Sequence, residues 1–71
     1  MLVLITGGAG YIGSTVASAC EDAGHTVIIL DDFSTGRREV VGDRILYEGD
    51  IADVALLDRL FTEHDVDAVV H

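Results

Sequence analysis

The sequence predicts an α/β fold, a partial doubly wound parallel sheet of about four strands with helices on both faces. Three observations carry that expectation. Short apolar runs, Leu2-Val3-Leu4-Ile5, Val27-Ile28-Ile29-Leu30, Ile45-Leu46-Tyr47 and Ala68-Val69-Val70, alternate with stretches of helical period. Such near-continuous apolar strands suit a parallel sheet covered on both sides. A glycine string also lies between the first run and the first helical stretch, where a strand must turn sharply into a helix.

Strand 1 is expected over about residues 2–6 and the first helix over about 11–23. That helix would present Ile12, Val16, Ala19, Cys20 and Ala23 inward, with Gly24 suited to the left-handed position after its end. Strand 2 follows over about 27–31. Residues 32–44 are polar apart from Phe33, Val40 and Val41 and read as a loop with room for one helical turn around 37–41. Strand 3 is expected over about 45–48, and a second long helix over about 53–63. Asp53 can cap that helix, which would turn Leu56, Leu57, Leu60 and Phe61 inward. Strand 4 covers about 67–71. Right-handed crossovers then set the spatial order 3-2-1-4. In that order strand 4 is an open, apolar edge, and the helices leave part of the sheet bare, so self-association of the 71-residue chain as a homodimer is expected.

Seventy-one residues make one domain at most, and a chain this short buries only about 60% of its unfolded surface. A formal charge of −9, with four Arg and no Lys, argues against a nucleic-acid or anionic-membrane partner. No apolar stretch approaches the ~20 residues of a membrane span, and the chain opens on a strand with no basic leader, which leads us to expect a cytoplasmic protein. The single cysteine, Cys20, reads as a core filler.

The glycine string is Thr6-Gly7-Gly8-Ala9-Gly10-Tyr11-Ile12-Gly13. It reads as G-x-G-x-x-G from Gly8, Gly10 and Gly13, or as G-x-x-G-x-x-G from Gly7, Gly10 and Gly13. An early Gly takes the turn, Gly10 leaves room for a pyrophosphate, and Gly13 lets the helix lie close on the strand. Phosphates would then meet the free N–H groups and positive dipole end of the helix. Strand 2 ends in Asp31, roughly the 20 residues further on at which an acid meets the adenosine ribose in a dinucleotide-binding Rossmann unit. A carboxylate there accepts from both ribose hydroxyls and repels a 2′-phosphate, which favours NAD over NADP. On the plainer alternative Asp31 is a polar strand end, and Arg37 and Arg38 could hold a 2′-phosphate. After strand 3, Asp50 could accept the adenine amino group while the Ile51 N–H donates to the ring; equally, Asp50 could help cap the following helix.

ITGGAGYIGS at 5–14, LDDFSTGRRE at 30–39, EGDI at 48–51 and DAVVH at 67–71 resemble the amino-terminal part of the extended short-chain dehydrogenase/reductase family over the whole chain. Residues 30–36 look more like its UDP-sugar epimerases than its sugar dehydratases. The resemblance implies NAD contacts at Gly7, Gly10, Tyr11, Ile12, Asp31, Asp32, Ser34, Thr35, Gly36, Asp50 and Ile51. Gly13 and Phe33 are counted with them as members of the same two loops. The family most often has Asn where Asp32 stands, and the short span from Asp31 to Asp50 implies a trimmed loop.

The implied chemistry is that of a UDP-hexose 4-epimerase, in which tightly held NAD takes a hydride from sugar C4 and returns it to the other face. In this family the base is a Tyr followed four residues later by Lys. The chain has no Lys, and Tyr11 and Tyr47 lie in the glycine loop and strand 3. The expectation is therefore that residues 1–71 are the N-terminal part of an NAD-binding Rossmann domain, that the UDP-sugar belongs to the full-length parent, and that the chain is inactive alone. An NAD-dependent sugar-nucleotide dehydratase or decarboxylase and a non-catalytic NAD-sensing module are the alternatives. His25, His64 and His71 lack metal-ligand spacing and read as surface or strand-end residues, and Glu21, Asp22, Asp58, Glu63 and Asp65 as solvated helix faces and ends, with an Arg59–Glu63 pair on the second long helix.

Overall fold

The computed structural model describes residues 1–34 and 36–71. Its elements run β1 (Leu2–Thr6), α1 (Tyr11–Asp22), β2 (Thr26–Asp31), α2 (Arg38–Val41), β3 (Ile45–Glu48), α3 (Val54–Glu63) and β4 (Ala68–Val70). The strands form one parallel sheet in the order β3-β2-β1-β4. Side chains alternate across it, and this splits the core in two. Val3, Ile5, Val27 and Ile29 face α1 and α2 with Ala17 and Val41, while Leu4, Ile28, Leu30 and Tyr47 face α3 with Leu60. Helices thus lie on both faces, as the apolar strands require. Among the described residues, no helix is long and apolar enough to cross a membrane.

The inward face of α1 differs from the expected one. Ile12 is 76% exposed and Ala19 and Ala23 are exposed, whereas Ala17 is fully buried and Val16 and Cys20 pack against the core. The reason lies at Gly13. A Cβ there would stand 2.3 Å from the Gly7 carbonyl oxygen, so α1 meets the β1 turn through its bare backbone, and the residues one and two turns on, Ala17 and Cys20, follow on the same face. The helix ends as its sequence suggested. Gly24 takes φ +91°, its N–H donates to the Glu21 carbonyl at 2.9 Å and the His25 N–H to the Cys20 carbonyl at 3.0 Å, a Schellman pair.

On the other face, Asp53 caps α3, its carboxylate accepting from the Leu56 N–H at 3.1 Å. Leu60 is buried and Leu56 and Leu57 are half-buried, but Phe61 is 48% exposed and departs from the expected inward stripe. With α3 alone on that face, nothing in the described chain lies against its outer flank, which also leaves Val54 and, on β4, Val69 exposed. Glu21 and Glu63 are exposed, as read, and the expected Arg59–Glu63 pair is present, but each glutamate also has a partner that was not anticipated. Arg44, on the loop into β3, reaches back to Glu21 at 2.9 Å, Ser18 Oγ at 3.0 Å and the Val40 carbonyl at 3.1 Å, tying α1 to α2. Glu63 accepts from the Tyr47 hydroxyl and stands 3.8 Å from Arg59, whose guanidinium lies 5.1 Å over the Tyr47 ring.

Candidate functional site

In a doubly wound sheet the carboxyl ends of the strands open onto a crevice where successive crossovers leave in opposite directions. Here β1 leads to β2 on one side and β4 lies on the other. A cleft of about 230 Å³ lies along these ends, lined by Thr6 and Gly7 after β1, Leu30 to Asp32 at the end of β2, Gly49 to Ile51 after β3, and His71 after β4. Gly7, Asp31, Asp32, Asp50 and Ile51, five of the residues picked out in the sequence, are thereby brought together.

The glycine loop forms the rim. Gly7 turns the chain with φ +70°, and its N–H donates to the Leu30 carbonyl at 2.8 Å, fixing the loop to β2. Gly10 is the N-cap of α1 in an extended conformation and supplies no side-chain cap. The first-turn N–H groups of Tyr11, Ile12 and Gly13 therefore have no intrahelical carbonyl and no capping side chain from Gly10. A Cβ on Gly10 would meet only the Gly7 carbonyl oxygen, at 3.4 Å, so the fold itself does not demand a glycine there. The space such a Cβ would enter is open, beside a helix N-terminus suited to an anion. Tyr11 and Ile12 are exposed at this rim, outside the residues lining the cleft.

Asp31 does more than the sequence suggested. It is buried at the end of β2, where Oδ2 accepts from the Ala9 N–H at 2.8 Å and Oδ1 from the Phe33 N–H at 2.8 Å. Two oxygens offer about four acceptor sites, so lone pairs remain for a ligand in the cleft. Phe33 adopts a left-handed φ of +60°. The Asp32 carboxylate accepts from the Ser34 N–H at 2.9 Å. That backbone bond, with the Ser34 hydroxyl assisting, holds the Asp32 carboxyl below its ordinary value, so it stays charged. Gly36 packs against the glycine loop, where a Cβ would stand 2.7 Å from the Ala9 Cβ, and the next residue, Arg37, donates its N–H to the Ala9 carbonyl at 3.2 Å. Thr35 lies outside the described residues. Asp50 closes a tight turn, its carboxylate accepting from the Ala52 N–H at 2.8 Å, and Asp53 rather than Asp50 caps α3.

Thr6 and His71 were not assigned to the site from the sequence, where His71 read as a surface or strand-end residue, yet they meet at the crevice, with Thr6 Oγ1 2.8 Å from His71 Nδ1. Their positions as the last residue of β1 and the first after β4 were the available signal, given the crevice rule. The profile of the NAD dependent epimerase/dehydratase family matches residues 3–71. The chain belongs to this family. The UDP-glucose 4-epimerase of Azospirillum brasilense is 54% identical over 97% of the chain, which covers 20% of that relative. UDP-glucose 4-epimerase of Brucella ovis, solved with NAD, superposes with a TM-score of 0.93 at 37% identity over 99% of this chain and 22% of its own. That of Bifidobacterium longum, solved with NAD+ and UDP, gives 0.93 at 32% identity over 100% and 24%. The chain thus spans about a fifth of the length of the relatives it matches. The glycine loop, the Asp31 strand end and the 48–51 turn all lie within the span that the family profile matches.

Proposed function

We propose that this chain is the NAD-binding portion of a UDP-glucose 4-epimerase. The observation that carries the reading is the meeting, at the carboxyl ends of the two central strands, of an uncapped helix N-terminus with open space at Gly10 and a buried carboxylate at Asp31. The first-turn N–H groups of Tyr11, Ile12 and Gly13 and the α1 dipole would hold the diphosphate. Asp31 would accept from the adenosine ribose hydroxyls, Asp50 with Ile51 would meet the adenine, and Gly7, Asp32, Phe33, Ser34, Thr35 and Gly36 are proposed as further contacts to the cofactor. Bound NAD supplies the hydride acceptor and donor for reversible oxidation at C4 of the UDP-sugar. The UDP-glucose 4-epimerases among the relatives, two of those named above solved with NAD, support the sugar assignment, which for this chain rests on that kinship.

The 71 residues contain no Lys and so no Y-x-x-x-K pair, and we infer that they turn over no sugar alone. We also propose that two copies of the 71-residue chain associate through β4, supported by its open edge and by exposed Val69 and Val70 on it. A cytoplasmic setting fits the free thiol of Cys20. The test of function is incubation of the intact protein with UDP-glucose. UDP-galactose as product is expected; a 4-keto-6-deoxy product identifies a dehydratase instead, and no conversion with NAD bound points to a non-catalytic dinucleotide module.

A further inference from the structure

Asp31 and Glu48 are register partners across β2 and β3, so their side chains leave the sheet on the same side, roughly 5 Å apart along the inter-strand direction. Glu48 forms an ion pair with Arg38 in the first turn of α2. The Arg38 guanidinium lies 4.6 Å over the ring of Phe33. Phe33 in turn donates its N–H to Asp31 Oδ1 at 2.8 Å. The four residues close a circuit that starts and ends at the acid assigned to the ribose. Arg38 is thus a cation tethered through Phe33 to the acid assigned to the ribose, and its fork is turned onto a carboxylate.

We propose that Glu48 is a second determinant of NAD over NADP selectivity, a positioning residue that holds Arg38 against Phe33 and keeps its guanidinium from serving a 2′-phosphate. This rests on the NAD reading above and adds to it a residue that touches neither nucleotide. Asp31 acts by repelling the phosphate, whereas Glu48 acts by occupying the cation that would compensate. Both members of the pair are half-exposed, Arg38 at 62% and Glu48 at 49%, so the latch is of surface strength and its release is worth a few-fold. The ring beneath Arg38 adds a cation–π contact that sets where the guanidinium rests once the pair is broken.

The test is calorimetric titration of NAD and of NADP into the intact protein, as wild type, Glu48→Gln, Arg38→Ala and the double variant. Glu48→Gln should tighten NADP about fivefold and leave the Kd for NAD within twofold. In the Arg38→Ala background the same change should move NADP less than twofold. An unaltered NADP affinity in Glu48→Gln overturns the proposal. So does a gain that survives without Arg38, which would make Glu48 a simple repelling charge or assign the phosphate to Arg37. Weakened NAD binding in Glu48→Gln also overturns it, because Glu48 would then serve the fold or the adenosine itself. Failure of the NAD reading looks different: the wild type binds neither nucleotide.

Discussion

Oδ2 of Asp31 accepts from the buried N–H of Ala9 at 2.8 Å, so the acid offered to the ribose is also the tie that holds the glycine loop against β2. One side chain positions both ends of the proposed adenosine diphosphate site. Stability and cofactor affinity are therefore coupled at this position.

Replacing Asp31 with Ala should leave the Ala9 N–H buried without an acceptor and cost about 1–3 kcal/mol of stability in addition to weakening NAD. Asp31→Asn keeps one carbonyl oxygen and should cost less stability, yet narrow the preference for NAD over NADP, because the negative charge is gone. Denaturant midpoints and calorimetric titrations of the intact protein read the two effects separately. A wild-type midpoint for Asp31→Ala would show that the tie to Ala9 contributes nothing.

The glycines separate in the same way. Gly10→Val should abolish NAD binding with little change in melting temperature, since the Cβ meets only one atom, at 3.4 Å. Gly13→Ala should lower the melting temperature sharply, because its Cβ would stand 2.3 Å from the Gly7 carbonyl oxygen and 2.8 Å from the Gly8 Cα. Thermal unfolding checks the order of the two variants, and a Gly13→Ala protein as stable as the wild type would contradict the close packing.

Tyr47 carries the alkaline limb of stability. Its hydroxyl donates to Glu63, which raises the phenol above its ordinary value of 10.0, with burial adding to the shift. The folded state therefore holds this proton more tightly than the unfolded chain. The contribution is complete below pH about 10 and is lost as pH rises through the raised folded value. Tyr47→Phe should flatten this limb and cost about 1 kcal/mol at neutral pH. Urea unfolding across pH 8–11 makes the comparison, and an unchanged alkaline slope in the variant would assign it elsewhere.

The β4 edge should govern the association of the 71-residue chain. Val69 is 53% exposed and pairs in register with buried Leu4, so it sits on the α3 side of the sheet. Sedimentation equilibrium should find a dimer, and Val69→Lys should return it to monomer, since a charge on an edge opposes pairing. A monomeric wild type at all concentrations would refute the association.

The strand order, the α1 end at Gly24 and the Asp53 cap were legible because each rests on a local rule: apolar runs, a left-handed glycine, a side chain three residues before its N–H. Five cleft residues were legible because the glycine loop and the acid after β2 have fixed places in that topology. What escaped depends on distances between segments. The inward face of α1 follows from contact between Gly13 and the β1 turn, which moved Ile12 outward and Ala17 inward. The ties of Asp31 to Ala9, Arg44 to Glu21 and Glu48 to Arg38 join residues 22, 23 and 10 positions apart, beyond any helical or strand period. Phe61 read as inward because its spacing is helical, and it is exposed because one helix alone covers that face.

The most direct test of the nucleotide site is a crystal structure of the intact protein grown with NAD. The diphosphate should lie within hydrogen-bond distance of the first-turn N–H groups of α1, beside Gly10, and an adenosine ribose hydroxyl within about 3 Å of the Asp31 carboxylate. NAD bound away from the glycine loop, or a ribose that leaves Asp31 bonded to Ala9 and Phe33 alone, would contradict the site.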